Sequence, residues 1–298
     1  MLRSGTLASF LLVFPGLSAA STLQVPGDQP TIAAGIEAAV DGDTVEVAPG
    51  TYPEKLDFMG KAILVRGAGR RRSVIDVSGA SAGSGRVVTF RNREGRDSIL
   101  HGFTLTGGST VQGGGVKCVA ASPTISNCEI TGNRAFGAEL DENGGGGIAC
   151  VHSSSPLVID CAIHDNLTRE KGGGIYCVSD SSPTLIRCTI SRNTAYDEGG
   201  GICCYWDYSP VMVECVVSDN QATGRGEFNQ GEGGGIACRS SSSDVSNSRI
   251  AENYAYFAGG GIWAYDQAAP TLSHCTIRQN IAGERGGEST SGTRPVPS

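Results

Sequence analysis

Apolar positions in the C-terminal two thirds of the chain recur in a fixed frame. Three glycines followed by an aliphatic residue occur at Gly113–Val116, Gly145–Ile148, Gly172–Ile175, Gly199–Ile202, Gly233–Ile236 and Gly259–Ile262. Two residues past each aliphatic stands Cys118, Cys150, Cys177, Cys204 or Cys238, with Ala264 in the sixth copy. A second column, Cys128, Cys161, Cys188, Cys215, Ser248 and Cys275, is followed two residues later by Ile130, Ile163, Ile190, Val217, Ile250 or Ile277. Patterns such as Ile175-x-Cys177 and Cys188-x-Ile190 have the two-residue period that puts both side chains on one face of a strand. The pattern therefore predicts short strands rather than helices.

Three residues further on comes an asparagine in every copy: Asn133, Asn166, Asn193, Asn220, Asn253 and Asn280, spaced 33, 27, 27, 33 and 27 residues apart. Both longer spacings arise between the asparagine and the next triple glycine, where length varies as it does in a surface loop. A unit of such short strands cannot bury its apolar face alone, but stacked units can pair each strand with its equivalents about 4.8 Å away. The fold predicted is all-β: a single-stranded right-handed parallel β-helix, or solenoid. The asparagines are expected to lie over one another as an inward amide ladder, and the glycine columns to supply turns of positive φ.

Before the repeats, Pro30, Thr31, Ile32, Ile36, Ala39 and Val40 suggest a short amphipathic helix capping the N-terminal end. The domain organisation expected is a signal peptide over residues 1–20, a β-helix over 21–288 (cap and first coils 21–112, glycine repeats 113–288) and a disordered tail over 289–298. The signal reading rests on Arg3, the apolar stretch from Leu7 to Leu17 and the small residues Ser18, Ala19 and Ala20. No later segment approaches the ~20 continuous apolar residues a membrane helix needs. The expected location is secreted, extracellular or at the cell surface. No C-terminal capping element is visible, which leaves that end available to a docking partner.

The chain has 298 residues, 44 of them Gly and 11 Cys, with a net charge of -7. An acidic chain without a basic face excludes nucleic acid as a natural ligand. An oxidising compartment favours cross-linked cysteines, yet two vertical columns can equally be stacks of buried thiols acting as small apolar residues. The second reading is preferred. An odd number leaves at least one thiol unpaired, with outward-pointing Cys203 the natural candidate.

The Gly42-Asp-Thr-Val, Pro49-Gly-Thr-Tyr52 and Gly102-Phe-Thr-Leu segments resemble the N-terminal coils of pectin-lyase-like right-handed parallel β-helix proteins, and the likeness extends over roughly Leu23 to Gly287. The Asn-x-Ala-x(3)-Gly-Gly-Gly-Ile repeats bear a looser likeness to those of polymorphic outer membrane proteins, with Gly here in place of an Ala. The resemblance implies fold and an extracellular setting. It does not fix a reaction, because that superfamily holds polysaccharide lyases, hydrolases, esterases and adhesins. The polygalacturonase-like Asn-Thr-Asp, Asp-Asp, Gly-His-Gly and Arg-Ile-Lys elements are absent, and Gly50-Thr-Tyr-Pro-Glu54 matches only one piece of a pectin methylesterase pattern.

Two candidate sites follow from the strand after each triple glycine and the loop before it. Tyr176, Tyr205, Trp263 and Tyr265 should point outward, offering flat faces to sugar rings, while Arg239 could meet a uronate carboxylate. Glu170 and Asp197 align two residues ahead of the glycines, and Glu198 and Glu232 one ahead, which brings acids about 5 Å apart on successive coils. Oxygen donors on loops suit Ca2+, although no cofactor is required and a solvated acidic edge is the alternative. The function expected is a secreted or surface-displayed β-helix that binds polysaccharide or a cell-surface partner through a lateral face. The rival readings are a polysaccharide lyase or glycoside hydrolase, and an adhesin or passenger fragment of a larger surface protein.

Overall fold

The computed structural model describes residues 19–79, 85–137, 143–206, 210–224 and 231–283. The predicted tail, and the signal segment apart from its last two residues, lie outside these. The chain coils into a solenoid with four parallel sheets, of ten, nine, eight and seven strands among the described residues. One turn contributes a strand to each, for example Ile175–Cys177, Thr184–Ile186, Thr189–Ser191 and Thr194–Ala195. Registers are those of the sequence columns. Cys118, Cys150, Cys177 and Cys204 pair in succession, then Cys238 and Ala264. Ile130, Ile163, Ile190, Val217, Ile250 and Ile277 do the same on another sheet. Among the described residues, no helix is long and apolar enough to cross a membrane.

The predicted cap is helix α1, Ile32–Ala38, whose N-cap Thr31 accepts a hydrogen bond from the Ala34 N–H. The Glu54 carboxylate accepts from the N–H groups of Ile32 and Ala33, satisfying two further amides that a helix start leaves without internal partners. Ile32, Gly35 and Ile36 are buried, and Gly35 faces Val25 and Val45 of the first coils. In these coils the core holds Phe58, Phe90 and Phe103. Cys118 pairs with Phe90, and the Glu129 N–H bonds the Phe103 carbonyl next to Cys128, so each cysteine column begins where an aromatic leaves off. Cysteine thus serves as a compact core side chain. Among the described residues, all eleven thiols are free, and ten are buried.

The second cysteine column sits at a corner rather than inside a strand, because the residue before it turns left-handed. Asn127, Asp160, Arg187, Glu214, Asn247 and His274 all have φ near +50°. The residue before each ladder asparagine behaves likewise, as at Arg192 with φ 53°. The glycine columns supply turns of positive φ as expected, but these further left-handed corners, which the sequence did not reveal, fall on non-glycine residues, Gly132 apart. Each left-handed non-glycine residue costs on the order of 1 kcal/mol. Inter-coil bonds such as Arg187 N–H to the Val213 carbonyl hold the corners in place. Within the triple glycines only the first has positive φ, as at Gly172 (66°). The second and third are glycine for lack of room: a Cβ on Gly173 would stand 2.4 Å from the Gly200 carbonyl oxygen, and one on Gly174 2.6 Å from that of Gly201.

The asparagines form a continuous buried ladder. The side-chain Nδ2 of Asn193 donates to Asn220 Oδ1 at 3.0 Å and to the Ile163 carbonyl at 2.9 Å, while its Oδ1 accepts from the backbone N and Nδ2 of Asn166. The same pattern joins Asn133 to Asn166, Asn220 to Asn253 and Asn253 to Asn280. Every amide points the same way along the axis, so a residue that cannot both donate and accept breaks the chain. Asn193→Ala would strand buried polar groups on two neighbouring coils and is expected to destabilise the protein by about 3 kcal/mol or more. Denaturant unfolding followed by circular dichroism measures this, and a loss within about 0.5 kcal/mol would contradict the ladder's importance. A thiol reagent is expected to reach only the partly exposed Cys275 in the native protein and the other ten thiols after denaturation. Prompt labelling of several cysteines, or none labelled when unfolded, would argue against stacks of buried thiols.

Candidate functional site

The outer face of the sheet that follows the triple glycines is not open along its length. The first glycine of each triple folds back over the outward residue four positions later. Cβ atoms built on Gly199 and Gly233 would lie 2.6 Å from Cys203 Cβ and 2.7 Å from Ala237 Cβ. A second apolar cluster results, made of Val151, Tyr176, Val178, Cys203, Tyr205 and Ala237, with Val119 and Trp263 against it. Tyr176 is 0% and Tyr205 2% exposed, so neither presents an open ring face, contrary to the sequence expectation. Cys203 points outward as expected yet is wholly buried, which pushes its thiol pKa up.

The remaining three candidates come together on the last two coils. Arg239 pairs in register with Tyr205 on one side and Tyr265 on the other, and its guanidinium lies 5.3 Å and 5.6 Å from their ring centres. Trp263 and Tyr265, two apart on one strand, stack at 5.4 Å with planes 11° apart. Tyr265 is 55% exposed, and Trp206, 42% exposed, meets the Tyr205 ring edge-on. Tyr208 and Asp207, close by in sequence, lie outside the described residues. Lys117 stands on the first glycine-repeat strand, Val116–Val119, well removed along the axis from Tyr265.

Beneath this ledge is a cluster of charges. Asp197, Glu198 and Glu232 bring one carboxylate oxygen each to within 4.8 Å of one another. Glu170, the fourth acid of the predicted set, is buried but is not one of this group. Lys171 Nζ lies 3.4 Å from Asp197 Oδ2 and 5.0 Å from the centre of the Tyr205 ring. The Tyr205 hydroxyl donates to Glu198 Oε1 at 3.3 Å and accepts from Arg239 at 2.5 Å. Burial, then the charge of Asp197, pushes the Glu198 carboxyl up to about 7; burial, then Glu198 and Asp197, does the same to Glu232. Tyr205 is likewise raised by burial first and the Glu198 charge second.

A second ionic group was not foreseen from the sequence, because its members come from five separate coils. Glu129 accepts from Arg71, from the Thr104 hydroxyl at 3.0 Å and shares a bond with His164 Nε2 at 3.1 Å. Its carboxyl is held at about 2, chiefly by the Arg71 hydrogen bonds. Asp165 bonds the other nitrogen of His164 and is itself clamped by Arg192. Both Glu129 oxygens are occupied, which makes this a stitch between coils rather than a vacant site.

Four parallel sheets stacked around an apolar and amide interior define a right-handed parallel β-helix. The chain belongs to the family described as right handed beta helix region, whose model matches residues 62–227 and 140–291. Among solved structures it is similar to the pectate lyase Pel9A, at 16% identity and a TM-score of 0.44 over 89% of this chain and 65% of that one. It is also similar to a pectin methylesterase from carrot, at 15% identity and a TM-score of 0.49 over 97% of this chain and 91% of that one. No curated protein matches the chain.

Protonation of the acidic group is linked to stability. The folded protein holds protons on Glu198 and Glu232 up to about pH 7, whereas the unfolded chain releases them near the ordinary value of 4.5. The stabilisation is therefore complete below 4.5 and lost as pH rises through about 7. The melting temperature is expected to fall between about pH 5 and pH 8. Glu198→Gln should flatten that fall and melt higher than the parent at the alkaline end. A parallel pH profile for parent and variant would refute the assignment.

Proposed function

We propose that the protein is a secreted or surface-displayed β-helix that binds polysaccharide, with acidic sugars preferred, through the lateral face of its C-terminal coils. The observation that carries this reading is the stack of the partly buried Trp263 on the exposed Tyr265, with the Arg239 guanidinium seated over Tyr265. Parallel aromatic faces offer apolar area at low entropic cost, and their ring faces suit the C–H surface of a sugar. Arg239 keeps 41% of its side chain exposed and is fixed from below by Tyr205. Its planar fork is suited to bidentate pairing with a uronate carboxylate. The secretory character of residues 1–20 and the acidic overall charge support an extracellular, non-nucleic-acid role.

A glycan array that includes polyuronates tests the reading. Tyr265→Ala, Trp263→Ala and Arg239→Ala are each expected to weaken the leading interaction by about tenfold or more, the equivalent of about 1.4 kcal/mol. Unchanged array profiles for all three would remove the proposal. Incubation of the same polysaccharides with the protein, read by new reducing ends or unsaturated products, separates binding from turnover, and reproducible product would move the assignment to a lyase or hydrolase.

A further inference from the structure

The loop residue just ahead of each triple glycine continues the stacking of the sheet beside it. The Gly172 N–H bonds the Glu198 carbonyl, and the Gly199 N–H bonds the Glu232 carbonyl. This column reads Gln112, Gly144, Lys171, Glu198, Glu232 and Ala258, so acids occupy it in two consecutive coils only. Asp197, one residue earlier on the same loop as Glu198, turns its carboxylate to the same point. Glu198 and Glu232 are 6% and 7% exposed. Three carboxylates this close and this dry repel one another and have given up most of their hydration.

One oxygen of the group has no partner. Glu198 Oε1 is served by the Tyr205 hydroxyl and faced by Arg239 at 3.9 Å, but Glu198 Oε2 is buried with no hydrogen-bond partner. Buried polar atoms are almost always satisfied, by protein, water or an ion, and a carboxylate oxygen left without any of these is costly. The gathered donors are all oxygen, which selects hard cations over zinc or copper. Calcium takes roughly six to eight oxygen ligands in flexible geometry, whereas magnesium demands near-ideal octahedral geometry and keeps most of its waters, so carboxylates gathered from two loops suit calcium better. The mutual spacing of the three donor oxygens lies within 4.8 Å.

We propose that Asp197, Glu198 and Glu232 form a binding site for one calcium ion, with Glu198 Oε2 as a direct ligand. The ion ties two consecutive coils together immediately beside the Tyr205 and Arg239 pair. Water completes the coordination from the side of Asp197, the most exposed of the three. This site does not depend on the carbohydrate reading, since its three carboxylates belong to the chain and no glycan atom is needed.

Calorimetric titration of Ca2+ into the chelator-treated protein, without glycan present, tests the site. One saturable equivalent per chain is expected, with a rise in melting temperature. Glu198→Gln and Glu232→Gln should each weaken binding by about tenfold or more. Asp244→Asn, at an exposed acid on a different sheet, should bind like the parent. Tb3+ added to the parent should give luminescence sensitised by Tyr205 and Trp206 and quenched by Ca2+, which locates the ion without any variant. Absence of a saturable equivalent, unaltered affinity in both glutamine variants, or terbium emission that Ca2+ does not displace would each overturn the proposal.

Discussion

Vertical registry governs this molecule. Paired strands, together with many backbone N–H groups at corners and glycine turns, bond carbonyls of the adjacent coil, so position along the chain and height along the axis are locked together. The asparagine ladder is where that lock is least forgiving. Its members are buried amides whose donors and acceptors face coils above and below, and an unmet amide in that interior costs far more than an ordinary surface contact. Backbone pairing would tolerate many side chains. The ladder admits only one that is short, neutral and able both to donate and to accept.

The same registry explains the composition of the interior. With strands only two to four residues long, each coil offers few inward positions, and they must be filled by residues that stack on copies of themselves. Isoleucine and cysteine meet this need at moderate volume, while phenylalanine appears in the N-terminal coils where the columns begin. Triple glycines are a packing requirement as much as a conformational one: carbonyls of the next coil occupy the space a Cβ would take. The turn thereby gained lies flat on the outer face of its own sheet and closes it to solvent over most of its length.

That closure divides the lateral face into two chemically different zones. Over the middle coils the outward column is apolar and buried, and the loop acids are driven into a dry pocket where Glu198 and Glu232 hold their protons to unusually high pH. On the last two coils the covering is incomplete: Arg239 and Trp263 are half-buried and Tyr265 is exposed to solvent. Tyr205 belongs to both zones. Its ring lies under Lys171 and Arg239, and its hydroxyl links Arg239 to Glu198, so the exposed ledge and the buried acids share one hydrogen-bonded support.

The sequence by itself determined the repeat, its 27-residue base length, the class of fold, the stacking of like on like and the ladder asparagines, because a parallel solenoid writes its axis into the spacing of its columns. It also marked which residues point outward, since alternation along a strand fixes parity. It did not determine which outward residues meet water. Tyr176 and Tyr265 have the same parity, yet one lies beneath a glycine turn and the other does not, and only the path of that turn in three dimensions decides the difference. Nor did it reveal that Arg187 and its equivalents hold left-handed corners, or that Glu129, Arg71 and His164 converge. Those arrangements come from residues that the coil brings side by side after intervals of up to 58 positions, and no local pattern records them.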